Sequence, residues 1–187
     1  MGRWAPDAAS RLAAAAVTLF EDCGYDQTTV ADIALAAGLT ERTFFRHFTD
    51  KREVLFAGTA DLRATMTASV AGAPPGSSPL AAVTVALEAG AAFFADRQSH
   101  ARRRQHVLAA TPVLAEREAS KMGVLVDDLA AALRGRGVDE PTATLTAEIG
   151  VLTFRTAFLR WLDQDGGSLA DVYPSVLAEV REVAGAG

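Results

Sequence analysis

Apolar residues recur along this chain at spacings of three and four, the period of a helix packed on one side. They fall in nine blocks separated by Gly, Pro and cap-type residues. Pro6 and Asp7 suit a helix start, preceded by Arg3 and Trp4 as a frayed terminus or an arm. Leu12, Ala16, Leu19, Phe20 and Cys23 follow at helical spacing, and Gly24 ends the run. That spacing predicts Cys23 to be a small buried core residue. Thr28 and Thr29 stand before Val30, Ile33, Ala34 and Ala37, a second short helix stopped at Gly38. Thr40 caps a third, Glu41 to Phe48, with Phe44, Phe45 and Phe48 inward and Arg42, Thr43, Arg46 and His47 mostly outward. Asp50 and Glu53 read as a carboxylate capping box that opens a longer helix. Its stripe runs from Lys51 through Leu55, Phe56, Leu62, Met66 and Val70 to the Pro/Gly/Ser loop 72–79.

The remaining blocks are longer. A fifth helix spans Pro79 to about Gln98, and Ser99 caps a sixth to Ala110 that carries Arg102, Arg103 and Arg104. Thr111 and Pro112 start a seventh, striped by Met122, Leu125, Val126, Leu129 and Leu133 and ended by Gly135 and Gly137. Asp139, Glu140 and Pro141 open an eighth with two apolar faces. One face holds Leu145, Ile149, Leu152 and Leu159, the other Val151, Phe154, Phe158, Trp161 and Leu162. A helix apolar nearly all round is buried on both sides. Here one side would meet the chain's own core and the other a second copy. The ninth, after Ser168 and Asp171, carries Leu169, Val172, Val176, Leu177, Val180 and Val183. The pattern predicts an all-α fold of about nine helices. A two-fold interface is expected on the last two, through Leu152, Leu159, Trp161, Val176, Leu177 and Val180.

Helix, glycine turn and a second helix with an exposed Arg/Thr/His surface form a helix-turn-helix between residues 28 and 48. Its second helix is narrow enough for the DNA major groove. The segment Leu19–Leu55, LFEDCGYDQTTVADIALAAGLTERTFFRHFTDKREVL, resembles the signature of the TetR (tetracycline-repressor-like) bacterial transcriptional regulators. Phe20 with Gly24-Tyr25, Thr29-Val30 with Ile33-Ala34, Ala37-Gly38 and Thr43 to Phe48 followed by Lys51 carry the likeness. It covers the first quarter to third of the chain. The resemblance implies a DNA-binding domain, residues 1–50, and a helical effector-binding and dimerisation domain, residues 51–187. It implies a regulator, in most such proteins a repressor, that binds a palindromic double-stranded operator as a homodimer and is released by a small molecule.

Arg42 and Thr43 lie at the N-terminal end of the second helix of this motif, where side chains reach base edges, and Thr40 caps that end. Thr29 opens the preceding helix, where hydroxyl and N–H can meet a phosphate. Arg46, His47 and Lys51 are placed for flanking phosphates. Phe45 stands where the family frequently has a tyrosine, so it keeps an apolar contact near DNA and lacks that hydroxyl.

Charge narrows this picture. The 187 residues carry a net charge of −5, and residues 1–55 are not net positive. Positive charge is local, at Arg42, Arg46, Lys51 and Arg52, which predicts weak non-specific DNA binding and reliance on dimerisation and base readout. The acidic balance keeps a second reading open: an all-helical dimeric ligand-binding protein whose DNA head is weak or vestigial. No enzyme signature, cofactor or metal spacing is expected, since His47, His100 and His106 are not spaced as ligands and Cys23 stands alone. No apolar run reaches the ~18 residues of a membrane span, and the expected location is cytoplasmic. Arg102 to Arg104 read as a solvated charge run or, less simply, an anion site. An effector pocket would be mostly apolar, with Met66, Phe93, Phe94, His106, Met122, Phe154 and Phe158 as its candidates.

Overall fold

The computed structural model describes residues 8–185. The expected helix start at Pro6 and Asp7, and an arm of Arg3 and Trp4, lie outside the described residues. The helices are α1 (Ala8–Cys23), α2 (Val30–Ala36), α3 (Glu41–His47), α4 (Thr59–Ala71), α5 (Pro79–Phe93), α6 (Gln98–Ala110), α7 (Pro112–Gly135), α8 (Glu140–Leu162) and α9 (Leu169–Gly185). Among the described residues there is no strand, and the fold is all-α.

The fourth helix differs from its expected course. Asp50 Oδ1 accepts from the backbone N–H groups of Arg52 (2.8 Å) and Glu53 (3.2 Å), closing a tight turn. The Glu53 carboxylate does not reach back to complete the box; it accepts from Arg117 Nε at 2.7 Å. Residues Glu53–Phe56 form a single 3-10 turn, Gly58 follows at φ 80°, and α4 begins only at Thr59. α5 likewise stops at Phe93, before the turn in which Asp96 has φ 58°.

Two compact units result, and they do not divide at residue 50. The first runs to Thr59 and includes Ser99–Glu118; the second comprises Ala60–Gln98 and Ala119 onward. The first unit is built on Leu12, Ala16, Val17, Phe20, Ile33, Phe44 and Val54, joined by Val107, Leu108 and Leu114 of α6 and the start of α7. The arginine run of α6 fastens it there. Arg103 pairs with Glu21 and donates to Thr18 Oγ1 at 3.0 Å. Arg104 donates to the Leu55 carbonyl at 2.6 Å and to Glu118 at 3.0 Å, with its guanidinium over the Phe56 ring. Arg103 and Arg104 are therefore part of the unit's framework, neither a free charge run nor an anion site. Cys23 also departs from expectation: it is exposed, in the last turn of α1 with exposed Asp22 and Gly24 on either side.

In the second unit α8 packs against α9 and α5, and α5 against α9. Close approach of α5 and α8 depends on missing side chains. A Cβ at Gly150 would stand 2.4 Å from Val83 Cγ1, and one at Gly90 2.9 Å from the Phe154 ring. Val83 is buried and β-branched, so it has little room to rotate away. Gly150→Ala is expected to destabilise the second unit by about 1–3 kcal/mol despite alanine's better helix propensity. A urea melt followed by circular dichroism checks this; an unchanged or raised midpoint would count against the packing described. On α9, Tyr173 is buried, and its hydroxyl is held up at a pKa of about 12 by burial and by the charge of the Glu88 carboxylate of α5.

The two apolar faces of α8 differ in burial, and Ile149, expected on the face of Leu145, Leu152 and Leu159, is half-buried. Val151, Phe154, Phe158, Trp161 and Leu162 are buried, while Leu145, Leu152 and Leu159 are 63%, 49% and 41% exposed. Three of the expected interface residues are corrected. Trp161, Val176 and Leu177 lie inside the second unit's own core, with Trp161 Nε1 donating to the Gly167 carbonyl at 3.0 Å. Val180 is half-buried.

Candidate nucleic-acid interface

α2 and α3 are short, and each is set by its ends. Thr29 caps α2 in a reciprocal box with Asp32. Its hydroxyl accepts from the Asp32 N–H at 3.1 Å, and its own N–H and hydroxyl donate to Asp32 Oδ2 at 2.9 and 2.6 Å. These bonds hold the Asp32 carboxyl below its usual range. α2 stops at Gly38, φ 64°, which donates to the Leu35 carbonyl while Leu39 donates to that of Ala34. This double closure needs a left-handed residue, which glycine adopts without strain. Arg11 adds a cation at the same helix end through the Ala37 carbonyl. Thr40 then caps α3, accepting from the Thr43 N–H at 3.2 Å.

Phe44 and Phe48 anchor α3, the first fully buried, with ring centroids 5.4 Å apart. Phe45 does not share their side. One residue further round the helix, it is 55% exposed, its ring held edge-on to Phe44 at 5.5 Å. Arg42, Arg46 and His47 are exposed, and Thr43 is half-buried. Arg42, Thr43, Phe45 and Arg46 line one open depression. The result is an apolar ring flanked by two guanidiniums that no carboxylate among the described residues holds. Such a surface can donate bidentate hydrogen bonds to guanine edges and pack against thymine methyls.

Two expected phosphate contacts are already occupied. Thr29 has both its N–H and its hydroxyl turned to Asp32, as above. Lys51 Nζ donates to the carbonyls of Tyr25 (2.7 Å) and Thr28 (2.9 Å) and lies 4.1 Å from the centre of the Tyr25 ring. Arg52 is paired with Asp50 at 2.9 Å. The capping signatures were visible in the residue spacing; Lys51's long-range partners were not.

The pocket candidates are not one group. Phe94, Phe154 and Phe158 pack on one another and on Trp161, with Phe94 and Phe158 centroids 5.0 Å apart. Phe93 adjoins Phe94 at 5.4 Å, Met66 is fully buried, and Met122 is half-buried. His106 belongs to the first unit and is exposed on α6, so it is no interior polar anchor. Among the described residues no cluster of His, Cys, Asp or Glu is placed to hold a metal, and no single helix is long and apolar enough to cross a membrane.

A capped helix, a left-handed turn and a second helix presenting exposed guanidiniums make the first unit a helix-turn-helix head. Residues 12–57 of this head match the sequence model of the tetR family of bacterial regulatory proteins. The chain is 39% identical over 74 residues to the HTH-type transcriptional regulator TcmR of Streptomyces glaucescens. That match covers 40% of this chain and spans about a third of the relative's length. Over nearly the whole length the likeness is one of fold. A structure assigned to the TetR family from Syntrophomonas wolfei superposes with a TM-score of 0.66 at 15% identity, covering 95% of this chain and 94% of that one. One from Mesorhizobium loti gives 0.60 at 19% identity, covering 93% of each.

Proposed function

We propose that this chain is a cytoplasmic transcriptional regulator that binds a palindromic DNA operator as a homodimer and acts as a repressor released by a small, mostly apolar effector. The observation that carries the reading is the exposed Arg42–Thr43–Phe45–Arg46 face of α3, held outward by the burial of Phe44 and Phe48. Arg42 and Thr43 read base edges, Phe45 supplies apolar contact, and Arg46 and His47 meet phosphates. The exposed leucine stripe of α8 supports the two-fold pairing, since Leu145, Leu152 and Leu159 recur every seven residues on one side. The aromatic group of Phe93, Phe94, Phe154 and Phe158, with Met66 beside Phe154 around Gly90, supports an apolar effector class. Such a molecule releases DNA only by binding more tightly to the state that misfits the operator.

Selection of bound duplexes from a random-sequence pool tests the reading, and an enriched two-fold-symmetric sequence is the expected result. Arg42→Ala should then cost about 1–3 kcal/mol on the selected duplex and relax preference at one base pair of each half-site. The internal engagement of Thr29, Lys51 and Arg52 favours one competing reading, a ligand-binding dimer with a vestigial head. Equal, feeble binding to every duplex across a salt series would decide for it.

A further inference from the structure

We infer that Lys51 is a positioning residue for DNA reading: it bolts the entry of α2 to the exit of α3 and makes no phosphate contact of its own. This rests on the reading proposed above and assigns Lys51 a different part in it. An ammonium has three N–H donors and no more. Two of them meet the carbonyls of Tyr25 and Thr28 at 2.7 and 2.9 Å, across 26 and 23 residues of chain. The nitrogen stands 4.1 Å from the Tyr25 ring centroid, so the third faces an aromatic surface that attracts a cation. No donor is left to turn toward a phosphate without breaking one of these.

What the bolt holds is the frame of the helix-turn-helix. Tyr25 packs its ring edge on Phe20 at 5.2 Å, in the last turn of α1. Thr28 is buried, and its hydroxyl donates toward the carbonyls of Gly24 (2.8 Å) and Leu19 (3.3 Å). Thr29, the next residue, caps α2. Lys51 itself comes three residues after Phe48, where α3 ends. One side chain thus joins both ends of the α1–α2 turn, the second just before the cap of α2, to the segment that follows the reading helix. Releasing it frees the tilt of α3 relative to α2, on which register along base edges depends, and leaves the count of cations facing phosphates unchanged.

Binding of Lys51→Gln, Lys51→Arg and wild-type protein is compared on a duplex enriched by the wild type and on a random duplex, across a salt series, with circular dichroism confirming the fold. Lys51→Gln is expected to lose about tenfold or more on the enriched duplex and little on the random one, with an unchanged salt slope. Lys51→Arg, whose fork can span both carbonyls, should recover most of the loss. A salt slope lowered by about 1, with equal losses on both duplexes, would mean a phosphate contact and overturn the inference. So would a Lys51→Gln protein that binds as the wild type does, or a loss that tracks unfolding and is not recovered by arginine. If the wild type enriches no duplex at all, the DNA reading itself fails and takes this one with it.

Discussion

Replacing both Leu152 and Leu159 by glutamate is expected to give a folded monomer that no longer holds a two-site duplex. Both side chains are roughly half exposed on α8, so neither substitution opens a cavity, and each should change the monomer's stability by no more than about 0.5 kcal/mol. In a symmetric pair every residue of the face is presented twice, so the double substitution brings four carboxylates to one contact. Apolar surface that closed on itself would then have to bury like charges. Losing the link between two heads removes the avidity of the second, about 10²–10⁴ in apparent affinity, while one head keeps its feeble half-site binding. Sedimentation and duplex titration read the two effects separately. A wild-type chain that is already monomeric at micromolar concentration, or a double variant that stays dimeric, would show that this face is not the contact.

Phe44→Ala is the second large effect. Phe44 is fully buried and holds both Phe45 and Phe48 by its ring, so truncation should cost about 3–5 kcal/mol. α3 has only 7 residues, far below the length at which a helix is stable alone, so its order comes from this anchor. The second unit has its own core around α5, α8 and α9 and should keep its helices. Peptide-resolved hydrogen exchange is expected to show protection lost across residues 12–57 and kept across 140–177, with duplex binding gone. Retained protection in the head would mean that α3 is held by something other than Phe44.

Much of this was legible in residue order because the deciding physics is local. Thr29 and Thr40 as caps, Gly38 as the turn and the two faces of α8 all follow from neighbours within a helical turn or two, and the structure shows each of them. The failures share a cause. A capping box at Asp50 and Glu53 was a fair expectation, but Arg117, 64 residues away, takes the Glu53 carboxylate. The arginine run of α6 looked solvated because Glu21, Leu55 and Glu118 are distant in sequence. His106 looked interior and Cys23 looked buried because periodicity gives the side of a helix and not how far the neighbouring core extends.

The chain alone determined that the fold is helical and where α2 and α3 start and stop, since backbone hydrogen bonding and the 3.6-residue period settle those choices within each segment. Phe45, expected inward with Phe44 and Phe48, turned out to face outward. Only the tertiary structure decided that residues 99–118 pack with the head, that Trp161, Val176 and Leu177 belong to an internal core, and that Lys51 is tied to backbone carbonyls. Those outcomes depend on which distant segment reaches a charge or an apolar face first, and spacing along the chain carries no record of that competition.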